Sequence, residues 1–138
     1  MTSVDSSMMP RMGVNVMMDR LLNEVPNYKR PTKFRVGVTT DNCAWTDTSL
    51  NDSVEILGGD YTKILESITI DEVNAYMEFQ GWLSVTEANG NLLTGFAVVN
   101  EDAAEKLIVK SKFPAQSKTN TELFKISVRV RIKDQADI

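Results

Sequence analysis

Histidine is absent from the 138 residues and Cys43 is the single cysteine. Without an imidazole, the commonest general base, the Ser-His-Asp arrangement, Cys-His nucleophiles and most transition-metal sites drop out together. One thiol can build neither an internal disulfide nor a cysteine-based zinc site. No G-x-x-x-x-G-K-[ST] loop and no G-x-G-x-x-G turn is present to cradle a phosphate. Catalysis would fall to carboxylates alone. The adjacent pairs Asp71-Glu72 and Glu101-Asp102 both sit in predicted turns, where acidic residues are favoured because they face water. The expectation is a chain with no catalytic residues and no cofactor.

The remaining chemistry is that of contact. Asp41-Asn42, Asp47 and Asp52 offer oxygen atoms to a cation, but the glycine and spaced glutamate of a calcium loop are missing, so no metal site is expected. Lys125, Arg129, Arg131 and Lys133 make a basic stripe near the C-terminus. Its own strand face has no interleaved aromatics and hence no platform for bases. An acidic protein surface is therefore the expected partner, not nucleic acid. Trp45, in a predicted loop, and Trp82, on the polar face of a predicted strand, are candidate contacts, since exposed Trp is enriched at interfaces. Met8, Met9 and Met12 supply adaptable apolar surface to an N-terminal arm. A different reading uses Trp45, Trp82 and Tyr61 as a stacking platform for a receptor or carbohydrate.

The elements that must hold these residues follow from hydrophobic periodicity. Residues 1–12 have no period and read as an extended arm, leaving 13–138 as one domain. Val14, Met17, Met18, Leu21 and Leu22 recur at helical spacing before Pro26, which predicts a helix whose stripe packs onto the sheet or onto a neighbouring subunit, with Met17 and Met18 in the core. Alternation predicts strands at Phe34–Val38, Val54–Leu57 and Tyr61–Ile70. It does so again at Ala75–Val85, Leu92–Asn100, Lys106–Phe113 and Phe124–Lys133. Asp71-Glu72-Val73-Asn74, Glu87-Ala88-Asn89-Gly90 and Glu101–Glu105 read as turns, and Pro114–Thr121 as irregular. Short strands joined by polar turns predict an all-β fold, an antiparallel β-sandwich with one leading helix. Phe79, Leu83, Phe96, Val98, Ile126, Val128 and Val130 are its predicted core.

Composition agrees with a folded domain, at 42% apolar and 25% charged residues. Charge is uneven: residues 1–105 hold 7 basic and 16 acidic side chains, and residues 106–138 hold 8 and 3. Such asymmetry suits two faces of one sheet or complementary surfaces between copies, with Glu101, Asp102 and Glu105 as acidic partners for the stripe. The charged N-terminal stretch has no apolar run long enough for a signal sequence or membrane span.

A series of short motifs runs along the chain. It comprises Gly13 with the Val14–Leu22 helix, Val36-Gly37, Thr46-Asp47-Thr48 with Leu50, and Glu87-Ala88-Asn89-Gly90. Gly95-Phe96-Ala97-Val98-Val99-Asn100, Lys118-Thr119 and the alternating run Leu123 to Lys133 complete it. In order and spacing the series resembles a family of tailed-phage structural proteins known as tail-fibre, collar or other virion proteins. The resemblance covers nearly all of the chain from residue 13. It implies structural work in a virion, assembled in the host bacterial cytoplasm, without catalysis, nucleic acid or membrane as partner. Collar, tail-fibre adaptor and capsid-decoration roles all fit, with further copies or other virion proteins as neighbours.

Overall fold

A computed structural model describes residues 6–39 and 41–131; Lys133, one of the basic-stripe candidates, lies outside the described residues. In chain order the elements are β1 (Ser6–Met8), α1 (Arg11–Leu22), β2 (Pro31–Gly37), β3 (Lys63–Ile64) and β4 (Ser67–Asp71). They continue with β5 (Tyr76–Leu83), β6 (Leu92–Asn100), β7 (Leu107–Ser117) and β8 (Phe124–Arg131). Two antiparallel sheets form, one in the order β1-β7-β6-β2-β3 and the other β4-β5-β8. The fold is all-β with a single helix among the described residues, a two-layer sandwich.

The core lies between the layers. Phe34 and Phe96 of the large sheet stack at 5.4 Å, and Phe113 of β7 meets Phe124 of β8 at 6.0 Å. Phe79, Leu83, Phe96, Val98, Ile126 and Val128 are buried as expected, whereas Val130 is only half-buried against the core's end. Gly81 of β5 is needed for close packing, because a Cβ there would stand 2.7 Å from the Phe96 ring.

The large sheet is covered on its other face too. The loop after β2 starts and ends on that strand, with Val38 N–H donating to Asp52 O and Val54 N–H to Val36 O. It lays Leu50 over Ala97, Val99 and Leu107. Phe96 through Asn100 are consequently all buried, which accounts for a continuous apolar run where one-sided burial would alternate.

Five expectations need correction. The arm does not extend through residue 12: Ser6–Met8 pair with Lys110–Lys112 of β7, Met9 packs on the core, and the helix starts at Arg11. The helix buries Gly13, Val16 and Asp19, not the apolar stripe; Met18 and Leu22 are exposed and Leu21 is 82% exposed. Gly13 sets that face, because its missing side chain lets the helix backbone rest on β7, where a Cβ would lie 2.1 Å from Ile108 O. Asp19 is buried because its carboxylate accepts from the N–H groups of Asn27 and Tyr28 and from Asn23 Nδ2, holding the loop that leaves the helix. The Tyr28 N–H first, helped by the others against burial, keeps its pKa below the ordinary carboxylate value.

The strand expected over 61–70 is two strands, β3 and β4, in different sheets. Residues 54–57 form no continuous strand; isolated bridges join Gly37 to Ser53 and Leu57 to Asp60. Finally, β7 runs on to Ser117 through Pro114. The register slips there, from Leu93 opposite Gln116 to Gly95 opposite Lys112, so a residue without an N–H falls in a bulge and not in the regular ladder.

Candidate interaction face

Cross-strand register decides which side chains share a surface. In β5 and β8, Tyr76 stands opposite Arg131, Glu78 opposite Arg129, Gln80 opposite Ser127 and Trp82 opposite Lys125. On β4, Asp71, Thr69 and Ser67 continue the same rows. All of these occupy the outer face of the three-stranded sheet, since Phe79, Leu83, Ile126 and Val128 take the inner one. Trp82, Lys125, Arg129 and Arg131, separated by up to 49 positions in sequence, thus come together on one side of a sheet.

The basic stripe is interleaved with aromatics after all, supplied by the neighbouring strand. Lys125 Nζ lies 4.2 Å from the Trp82 ring centre and the Arg129 guanidinium 5.0 Å from that of Tyr76. Arg129 Nε also donates to Glu78 Oε2 at 2.8 Å. That bond holds the Glu78 carboxyl below its ordinary pKa and raises that of Arg129. Beside them, Asp71 accepts from the Asn74 and Val73 N–H groups and from Asn74 Nδ2. Chiefly through the Asn74 N–H, its pKa drops to about 2, and its bond with the Tyr76 hydroxyl raises that of the phenol. Asp71, Tyr76, Glu78 and Arg129 therefore form one linked set of ionisable groups on this face. Arg131 is the exposed cation there with the least to hold it.

The other candidates lie elsewhere. Trp45 is exposed near the start of α1, its carbonyl accepting from Arg11 N–H at 2.8 Å. It belongs to the loop over the outer face of the large sheet, where Asp47 reaches the buried Lys110 at 3.1 Å. Trp45 and Trp82 are on opposite sides of the sandwich. Tyr61 lines a separate open groove of about 530 Å³ with Ile56, Leu57 and Ala88. The three rings do not make one stacking platform. Met8 and Met12 are half-buried, and Met9, also half-buried, packs on the core. Two of the expected acidic partners are also engaged internally: Glu105 pairs with Arg35, and Asp102 accepts from Asn100 Nδ2 and Lys29 N–H. Asp47 spends its carboxylate on Lys110 and the Ala44 N–H, and no cluster of three or more potential metal-ligating side chains occurs among the described residues. Nor is any helix among them long and apolar enough to cross a membrane.

A second constellation was invisible in sequence. Lys118 is buried, and its Nζ donates to Asn89 Oδ1 at 2.8 Å and to Thr119 O at 2.9 Å. The backbone repeats the tie: Gly90 N–H donates to Lys118 O, and Lys118 N–H to Asn91 O. The Glu87-Ala88-Asn89-Gly90 turn and the Lys118-Thr119 step are thus one structural unit, with Ala88 at φ 53° and Gly90 at φ 82°. Burial lowers the Lys118 pKa, and Glu87 and Glu122 partly offset it. Comparison with protein-family models, with curated proteins and with solved structures returns no match.

Proposed function

We propose that this chain is a non-catalytic structural subunit of a tailed-phage virion, a collar, tail-fibre adaptor or capsid-decoration protein acting by protein–protein assembly. One observation carries the reading: Tyr76, Trp82, Arg129 and Arg131 share the outer face of the β4-β5-β8 sheet with Lys125. Trp, Tyr and Arg are the side chains that most often dominate binding energy between proteins, and a sheet presents them with little conformational freedom left to lose. Lys125 and Arg131 give the face a positive margin for an acidic neighbour, which steers encounter and fixes register. The resemblance in motif order supplies the kind of assembly, and the particle formed in the bacterial cytoplasm supplies the location.

The test is mass spectrometry of density-purified particles of a tailed phage that encodes the chain. The chain should be recovered in a fixed copy number per particle. Its presence in the infected lysate together with its absence from washed particles would overturn the virion assignment.

A further inference from the structure

Among the described residues the three-stranded sheet ends on β4, whose far edge has no strand beside it. Around that edge Ile64, Ile68, Ile70 and Val73 are exposed by 72, 47, 74 and 92%. Ile68 and Ile70 stand opposite Phe79 and Met77, so they belong to the core-facing side of the sheet and run out past the core. Alternate N–H and C=O groups of an edge strand also lack partners in their own sheet, and natural edges are usually blunted by shortness, by Lys or by Pro. The other three edge strands among the described residues obey: β1 has three residues, β3 two including Lys63, and β8 carries Lys125, Arg129 and Arg131. The β4 sequence Ser67-Ile68-Thr69-Ile70-Asp71 has no such guard.

We propose that β4 pairs antiparallel with β4 of a second copy about a two-fold axis through Thr69. The strand complements its own reverse. In that register Thr69 meets the second copy's Thr69, Ile68 meets the second copy's Ile70, and Ser67 meets the second copy's Asp71. Four isoleucines then form one apolar face, and no like charges stand opposite each other within the five-residue ladder, where they would repel. Self-pairing of β8 would instead bring six cations together. The contact is isologous and closes at two copies, giving a continuous sheet in the order β8-β5-β4-β4-β5-β8. Two five-residue strands fall short of the ~1,200 Å² of a stable interface, so the dimer is weak, with Kd between about 1 μM and 1 mM. The proposal rests on this edge and not on the virion reading, and either can fail alone.

Sedimentation equilibrium of the full chain over that concentration range tests it. Wild type should move from monomer to dimer, and added salt should leave the apolar contact intact or tighten it. The double variant Ile68→Lys/Ile70→Lys should stay monomeric at every concentration while keeping wild-type circular dichroism and Tm, since both positions are exposed. In a Cys43→Ser background, Thr69→Cys should cross-link between copies on oxidation, because directly opposed Cβ atoms lie about 5 Å apart. Ile64→Cys should not, because position 64 is equally exposed but belongs to β3 of the other sheet, outside the paired ladder. A wild type that is monomeric throughout overturns the proposal and leaves the edge to a strand of a different protein. A dimer that survives both lysines, that salt dissociates, or that cross-links through position 64 and not 69 overturns it as well.

Discussion

Leu65 and Glu66, adjacent in the chain, donate their N–H groups to different sheets: Leu65 to Thr32 O at 2.9 Å, Glu66 to Gln80 O at 2.8 Å. One peptide step therefore stitches the two layers, and the Leu65 side chain is buried between them. Leu65→Ala should cost about 2–5 kcal/mol, the range for a leucine cavity in a packed core. Urea unfolding would measure it, and a loss under about 1 kcal/mol would mean that the corner closes up around the smaller side chain.

Val128 faces Phe79 across the β5–β8 ladder at the centre of the core. Val128→Asp places a carboxylate there with no partner, and a loss on the order of 4 kcal/mol or more should leave no cooperative thermal transition. A variant that melts like wild type would place this strand the other way round.

Gly13→Ala drives a methyl group into the Ile108 carbonyl and should cost about 1–3 kcal/mol even though alanine favours helix. Leu21→Ala, at a far more apolar but exposed position, should stay within about 0.5 kcal/mol of wild type. Reversal of that order in paired melting curves would restore the apolar stripe as the packing face.

Glu87 is a link between sheets, accepting from Lys63 Nζ of β3 at 2.6 Å and from Ser84 N–H after β5 at 2.7 Å. Burial pushes its pKa up, but the bonds to Lys63 and Ser84 outweigh that, and it lies below its ordinary 4.5. A carboxyl depressed in the folded state stabilises above its unfolded value and loses that contribution as pH falls through the folded one. Glu87→Gln should therefore cost about 1–3 kcal/mol at neutral pH. Its melting curve should then converge on wild type as pH drops below 4.5. An offset independent of pH would remove the carboxylate from the explanation.

Arg129→Ser with Arg131→Ser should weaken attachment to the particle and flatten its dependence on salt, because exposed ion pairs are screened. Binding across a salt series checks this. Unchanged affinity and slope would make the outer face of the small sheet merely solvated.

Local order in the sequence was enough for some elements and not for others. Strict alternation over Tyr76–Leu83 and Phe124–Arg131 marked both strands and their inner faces, because one side packs and the other meets water. Asn89-Gly90 marked its turn because Gly90 occupies positive φ. What was hidden depends on pairing across distance. Trp82 becomes Lys125's neighbour only through a register between strands 43 positions apart. The buried Lys118 has no local signal, since lysine ordinarily faces water. The helix misled because its packing face is set by the close backbone approach at Gly13, which brings Val16 inward and leaves Leu21 and Leu22 outside. Tyr61–Ile70 looked continuous because alternation does not report which sheet a residue joins.

β6 is flanked by β2 on one edge and β7 on the other, with the core on one face and the Leu50 loop on the other. From Gly95 to Asn100, where every residue is buried, solvent can reach its peptide groups only after both layers and the loop have separated. Its amide protons should accordingly exchange no faster than the whole molecule unfolds, while those of β3 and β4 escape through small local openings. The strand that carries Gly95 to Asn100 is thus a built-in gauge of global stability, readable without any added label.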